Sequence, residues 1–193
     1  MAKEKAARII RIITVPPVMA LILLIVLFLF KHNIFEKPSD FAAGVLMLVV
    51  FPVLAYPLQM AIPAVKKQGR DGQRKLAFIM SLISYTGMLV YGIIEKINRN
   101  MLVICVTYFL TVFILTICNK LLHIKASGHA ASCTSPLLFL MYYFSWPLFL
   151  PCIIVFLIIL WASLVTKSHT LKEFLIGASI CMISFAVSLG IVR

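Results

Sequence analysis

Two histidines and one glutamate lie at the starts of long apolar runs, where ionisable side chains are uncommon. His129 ends the segment Ala-Ser-Gly-His, and His169 precedes Glu173 by four residues. A spacing of four places His169 and Glu173 on the same face of a helix. An imidazole can transfer a proton or act as a nucleophile, and a carboxylate can orient it. These three side chains are therefore the first candidates for chemistry.

Basic residues form a second group of candidates. Lys67 and Arg74 flank a glycine-containing segment that follows an apolar run. Both side chains bind anions, and arginine does so with two parallel hydrogen bonds. If the segments that carry the histidines and these cations converge, they form a pocket with two imidazoles, one carboxylate and several positive charges.

The composition of the chain that must position these groups is that of a membrane protein. Of its 193 residues, 63% are hydrophobic and 12% are charged, and the mean hydropathy is +1.08. A soluble domain has about 45–50% apolar and about 25% charged residues. A single core of this size cannot bury the excess. The composition excludes a soluble enzyme, a disordered chain and a disulfide scaffold. It predicts one integral membrane domain over residues 1–193.

The net charge of +12 does not indicate a nucleic-acid partner. The basic residues lie in short gaps between apolar runs, where they set topology and meet anionic head groups. The sequence contains no zinc finger, RNA-binding signature or base-reading basic helix. The five cysteines are scattered and lack metal-ligand spacing. We therefore expect a lipid bilayer around the chain, without nucleic acid or metal.

Apolar runs of about 20 residues predict the membrane spans. The stretch 127–165 is too long for one helix, and Pro147 and Pro151 mark its break. The sequence thus predicts an all-α, polytopic transmembrane bundle of seven spans, or of six if the proline break is only a kink. A basic loop over 66–75 separates the second and third spans. The predicted spans are 12–30, 41–65, 76–94, 100–122, 127–146, 148–165 and 169–192.

The distribution of Lys and Arg predicts the orientation. Thirteen of these residues fall on one predicted side and five, including Arg193, on the other. The positive-inside rule places the richer side in the cytoplasm. All three candidate segments emerge on that side. We therefore expect an integral multi-pass protein of the cell (inner) membrane whose site faces the cytoplasm.

Two of the candidate segments match short phosphate-handling motifs. Lys67 and Arg74 reproduce the spacing of KxxxxxxRP, with Lys75 in place of the proline. The tetrapeptide at 126–129 matches PSGH except at its first residue, which is alanine. The two segments also occur in the order in which those motifs appear.

A third segment, 161–173, is similar to the motif SRxxxxxHxxxD. It keeps the histidine as His169 and has Glu173 where the aspartate is expected, whereas Ala162 and Ser163 replace the serine and the arginine. Together the segments resemble the type 2 phosphatidic acid phosphatases, the membrane branch of the superfamily shared with vanadium haloperoxidases. The resemblance covers roughly residues 50–190, with its motifs over about 66–177. It implies a phosphatase-like helical core.

The resemblance also implies a role for each residue. His169 would attack phosphorus and form a phosphohistidine, and Glu173 would hold the other ring nitrogen. His129 would protonate the leaving oxygen. The scheme needs no metal and no other cofactor. The implied phosphate-binding residues are Lys67, Arg74, Ser127, Gly128 and, in partial replacement of the lost arginine, Lys125.

The implied function is that of a membrane lipid phosphatase acting on a phosphate ester or diphosphate. Its substrate would be a phosphatidate, a phosphatidylglycerophosphate or a polyprenyl diphosphate, with the tail in the bilayer and the phosphate at the interface. Ser163 in place of the arginine favours a second hypothesis, a non-catalytic relative that binds anionic lipid or acts as a membrane scaffold. The sequence leaves the choice of lipid and the oligomeric state open.

Overall fold

The computed structural model describes residues 2–192, apart from the side chains of residues 70 and 71. Every regular element in that part is helical, so the prediction of an all-α chain is confirmed. Arg193, which the sequence places on the side opposite the site, lies outside the described residues. The longer helices are α1 (Ala2–Ile13), α2 (Pro16–Phe30), α3 (Pro38–Ala61), α4 (Gly69–Ile94), α5 (Arg99–Leu121), α6 (Gly128–Phe144), α7 (Trp146–Val165) and α8 (Leu171–Ile191).

The first predicted span, 12–30, is wrong at its start because the chain bends there. α1 ends at Ile13, α2 begins at Pro16, and the two helices are bent by 57°. Val15 is extended, with φ −61° and ψ 147°, as is usual for a residue that precedes proline. Pro16 also lacks the N–H that would continue the helix. α1 therefore leaves the line of α2 and packs against α7.

The segment predicted as a basic loop, 66–75, is mostly helical. α3 ends at Ala61, and Ile62 is extended before Pro63, so the second predicted span also ends early. A short helical turn, Pro63–Lys66, follows. α4 then begins at Gly69, whose φ of +56° suits glycine. The basic residues at 70–75 therefore lie on the first turns of a helix.

The chain reverses at Ser145, between α6 and α7. This residue has φ 55° and ψ −139°, outside any helical conformation. Ala130, near the start of α6, and Ile159, late in α7, belong to one buried cluster. In a single helix they would lie about 44 Å apart at 1.5 Å per residue. The break is a hairpin, and the alternative of one kinked span is wrong.

Within the described residues, five helices are long and apolar enough to cross a membrane, namely α3, α5, α7, α8 and the Gly72–Ile94 part of α4. The bent pair of α1 and α2 raises the number to six. α6, which corresponds to the predicted span 127–146, has 17 residues and falls short of that length, so the described residues give five or six candidate spans against the seven predicted. Large apolar side chains also face outward, among them Leu150, which is 64% exposed. Together these features fit a membrane-embedded protein.

A buried core joins α2 to α5. Leu23, Leu24 and Leu27 of α2 are at most 1% exposed and share a cluster with Met101 and Ile104 of α5. α4 and α8 also pack against α5. Within a bilayer, close side-chain packing rather than removal from water holds such helices together. This packing positions the helix ends that carry the candidate site.

Candidate functional site

A cavity of about 960 Å³ lies among α1, α4, α5, α6 and the start of α8. Six of the eight predicted site residues line it, although they come from three distant segments of the chain. The six residues are Arg74, Lys125, Gly128, His129, His169 and Glu173.

His169 and Glu173 are paired at the start of α8. The Nδ1 atom of His169 lies 3.1 Å from Oε2 of Glu173. The Thr170 N–H donates to the same oxygen over 3.2 Å, and the Thr170 hydroxyl accepts from the Glu173 N–H. This capping box fixes the carboxylate. When Nδ1 donates its proton to that carboxylate, Nε2 keeps its lone pair and is the nitrogen available for attack.

The surroundings of His169 favour its neutral form. Burial lowers the pKa of this histidine, and the positive charges of Arg74 and Arg11 act in the same direction. The hydrogen bond with Glu173 opposes this effect and raises the pKa. The net shift is downward from the usual value. A neutral ring is the form that a nucleophilic imidazole requires.

His129 reaches the cavity from α6, of which it is the second residue. Its Nε2 atom lies 3.5 Å from Oγ1 of Thr14 and 3.8 Å from Sγ of Cys133. Thr14 lies in the bend between α1 and α2, and its carbonyl accepts from the Cys133 thiol over 3.1 Å. The bend therefore contacts the His129 ring and limits its movement.

A close backbone contact brings the two histidines to the same cavity. The Ser127 N–H donates to the carbonyl of Glu173 over 2.9 Å, which joins the starts of α6 and α8. Gly177, one turn further along α8, faces the backbone of Ser127. A Cβ atom at Gly177 would collide with the Ser127 carbonyl. The two helices can approach this closely because residue 177 has no side chain.

Asn119 holds the segment that leads into α6. Its side-chain nitrogen donates to the carbonyls of Leu115 and Ala126, at 3.0 and 3.2 Å, and its Oδ1 accepts from the Ala126 N–H over 3.1 Å. Lys125, which is exposed and lines the cavity, directly precedes this clamp. Sequence reasoning missed Asn119, because its role depends on contacts that only the folded chain makes.

Arg11 lines the cavity, although in the sequence it was only one of the thirteen basic residues that predicted the cytoplasmic side. Its Nη1 atom lies 3.2 Å from Oγ1 of Thr166, and it also donates to the hydroxyl of Ser168. Since Ser168 directly precedes His169, the guanidinium lies beside the candidate nucleophile. Arg8 lines the cavity too, and the spacing of three places both arginines on one face of α1. The spacing of Arg8 and Arg11 was the signal in the sequence that could have identified them as site residues.

Two predicted phosphate-binding residues, Lys67 and Ser127, are absent from the lining. Lys67 is exposed before α4. Ser127 is fully buried, and its hydroxyl caps α6 by accepting from the Ala130 N–H over 3.1 Å. Ser163, where the resembling motif has arginine, is fully buried in α7 and also lies outside the lining. Arg11 of α1 instead contacts Thr166, three residues after Ser163.

The cavity is suited to an anion. Among the described side chains, four cations line it against the single carboxylate of Glu173, and arginine and lysine bind phosphate groups well. No three His, Cys, Asp or Glu residues within the described part are grouped so that they could hold a metal ion.

Comparisons with protein-family models, with curated proteins and with solved structures gave no match.

Proposed function

We propose that this chain is a membrane lipid phosphatase, with the activity implied by its resemblance to the type 2 phosphatidic acid phosphatases. It hydrolyses a phosphate ester or a diphosphate of a lipid through a phosphohistidine. The observation that carries the proposal is the 3.1 Å pair of His169 and Glu173 in a cavity shared with His129 and Arg74. A nucleophile, an acid and phosphate-binding cations are the groups that this reaction needs.

In the first step, Nε2 of His169 attacks phosphorus and the bond from phosphorus to the lipid oxygen breaks. His129 gives a proton to that oxygen, so the lipid leaves as an alcohol from a phosphate ester and as a monophosphate from a diphosphate. Burial and the positive charge of Arg11 lower the pKa of His129, and the phosphate dianion bound beside the ring opposes that shift and favours its protonated form. Glu173 stabilises the positive charge that develops on His169.

In the second step, a water molecule attacks the phosphorus of the phosphohistidine. His129, now neutral, takes a proton from this water, and the bond from phosphorus to nitrogen breaks. Inorganic phosphate leaves and both histidines return to their starting states. The net reaction consumes one lipid phosphate and one water, and it yields inorganic phosphate together with the alcohol of an ester or the lipid monophosphate of a diphosphate.

The phosphate is bound by the cations of the lining. Arg74 and Lys125 come from the predicted set, and Arg11 takes the role of the arginine that Ser163 replaces. Gly128 adds its backbone N–H at the start of α6, where an anion is favoured. Following the charge bias of the sequence, we assign the site to the cytoplasmic face of the cell membrane.

A non-catalytic relative that binds anionic lipid is the second candidate. The burial of Ser163 outside the lining favours it, because the arginine of the third motif has no direct substitute on α7. The two candidates share the basic cavity and differ in whether phosphate is released.

The test is release of inorganic phosphate by the purified protein in detergent. The substrates are phosphatidate, phosphatidylglycerophosphate and a polyprenyl diphosphate, each with and without a metal chelator. We expect release from at least one of them that His169→Ala abolishes and His32→Ala, at an exposed histidine outside the cavity, leaves unchanged. Binding of all three lipids without phosphate release identifies the non-catalytic alternative instead.

A further inference from the structure

Three buried hydroxyl groups line the inner part of the same cavity. They belong to Tyr108 and Thr111 of α5 and Ser135 of α6, which are 4%, 6% and 1% exposed. None of the three oxygens has a hydrogen-bond partner of normal geometry within the described residues, although the Ser135 side chain neighbours Tyr108 and the Cys181 thiol neighbours both Thr111 and Ser135. We call these three residues the hydroxyl cluster. The proposed mechanism does not use them.

Other hydroxyls in these helices have partners. Thr107, one residue before Tyr108, donates to the Val103 carbonyl, and Thr134, one residue before Ser135, donates to the Ala130 carbonyl. Among the described side chains, Ser163 is the one further buried hydroxyl without a partner, and it lies outside the cavity. Unpaired hydroxyls are therefore concentrated where a bound molecule can reach them.

An unpaired buried hydroxyl is unfavourable, so a ligand group that pairs with it gains affinity. The pairing also lets the site discriminate between ligands, because a ligand without a hydroxyl leaves the protein hydroxyl unpaired. Ser132, which lies between His129 and Ser135 on α6, and Ser81 of α4 also line the cavity and add two further hydroxyls. The inner part of the cavity thus has the chemistry of a polyol site.

The distance between the hydroxyl cluster and His129 leaves room for the alcohol part of a substrate. Ser135 follows His129 by six residues on α6, which is about 9 Å along the helix axis at 1.5 Å per residue. A phosphate held between His129 and His169 leaves this space for the first carbons of the alcohol. An alcohol made only of hydrocarbon could pack against Val112, Leu115 and Phe78, which also line the cavity, but it would leave the three hydroxyls unpaired.

We infer that the hydroxyl cluster is a subsite for hydroxyl groups on the alcohol part of the substrate. The substrate is then a phosphate ester of a lipid whose alcohol carries several hydroxyls, and a polyprenyl diphosphate is disfavoured. This inference rests on the proposed function for the placement of the phosphate. It adds the class of alcohol that the site accepts.

The test compares two non-hydrolysable ligands that bind the purified protein in nanodiscs. One is a long-chain alkylphosphonate, and the other is the same molecule with a hydroxyl on its third and fourth carbons. We expect the dihydroxy ligand to bind about tenfold more tightly, since one or two buried hydrogen bonds are gained. The variants Tyr108→Phe, Thr111→Val and Ser135→Ala should each reduce this preference without weakening binding of the plain phosphonate.

Two matched controls are Tyr143→Phe and Thr134→Val, whose hydroxyls already have protein partners and lie outside the cavity. Both should keep the preference. Equal binding of the two ligands by the natural protein, or no binding of either, overturns the inference, as does an equal loss for both ligands in the cluster variants. Catalysis is measured separately with the matching phosphate esters. A retained preference without phosphate release rejects the phosphatase and leaves the subsite standing.

Discussion

The backbone N–H of Ser127 donates to the carbonyl of Glu173 over 2.9 Å, so the starts of α6 and α8 are joined directly. His129 lies two residues after the donor, and His169 lies four residues before the acceptor. This one hydrogen bond relates the proposed acid to the proposed nucleophile. Ser127, which the sequence predicted as a phosphate-binding residue, therefore acts on the geometry of the site instead.

Replacing either histidine should stop or strongly slow phosphate release. His169→Ala removes the nucleophile and should abolish turnover, and His129→Ala should lower it by about 10²- to 10⁴-fold. The two roles are successive, so neither residue substitutes for the other. Turnover is measured as phosphate release, and folding is checked by size-exclusion elution and thermal unfolding. Normal turnover by folded His169→Ala protein would exclude the phosphohistidine.

Glu173→Gln should lower turnover with little loss of stability. The amide oxygen still accepts from the Thr170 N–H, so the cap of α8 survives. The neutral amide cannot stabilise the positive charge on His169, and we expect kcat to fall by about a hundredfold or more. Thermal unfolding and kcat are measured on the same preparation. A parallel loss of thermal stability and kcat would mean that Glu173 acts only by capping α8.

Arg11→Ala should weaken phosphate binding although α1 lies far from the motifs in sequence. The loss of a charged hydrogen-bond donor predicts a drop in kcat/KM of about ten- to a hundredfold. Lys5→Ala is the matched control, since Lys5 is an exposed cation on the same helix outside the cavity. The comparison uses initial rates over a range of substrate concentrations. Equal effects of the two substitutions would mean that α1 acts only through general charge.

Gly177→Ala should destabilise the fold and impair the site together. Its Cβ would collide with the Ser127 carbonyl and push α6 away from α8, and such overpacking costs about 1–3 kcal/mol. Gly190→Ala on the same helix is the control, because a Cβ there meets no atom within 4 Å. Thermal unfolding should show a lower midpoint for the first variant alone. Unchanged stability in Gly177→Ala would contradict the close contact.

Cysteine labelling should place the start of α4 on the cytoplasmic side. In a cysteine-free background, Lys67→Cys should resist an impermeant maleimide in intact cells, and Lys37→Cys should react. Both lysines are exposed, so access depends on the side of the membrane. Labelling after permeabilisation confirms that each thiol is reactive. The reverse pattern would place the site outside.

The sequence by itself determined the properties that depend on neighbouring residues. Run length and composition determined the helical membrane class, and a spacing of four determined that His169 and Glu173 share a face. The local rule for proline identified the break near Pro147, and the count of two separate spans there predicted the reversal that the structure has at Ser145. Each of these follows from interactions within a few turns of one helix, which is why the sequence was sufficient.

Tertiary structure decided which residues share the cavity. Arg11 lies beside Ser168 because α1 bends by 57° at Pro16 and packs against α7, a contact between residues 157 positions apart. The Ser127 hydroxyl caps α6 and does not line the cavity. Lys67 also lies outside the cavity, since it precedes α4, whereas Arg74 is on that helix. Such placements depend on the packing of whole helices against one another. No local pattern encodes that packing, since it is set by the fit of many distant side chains at once.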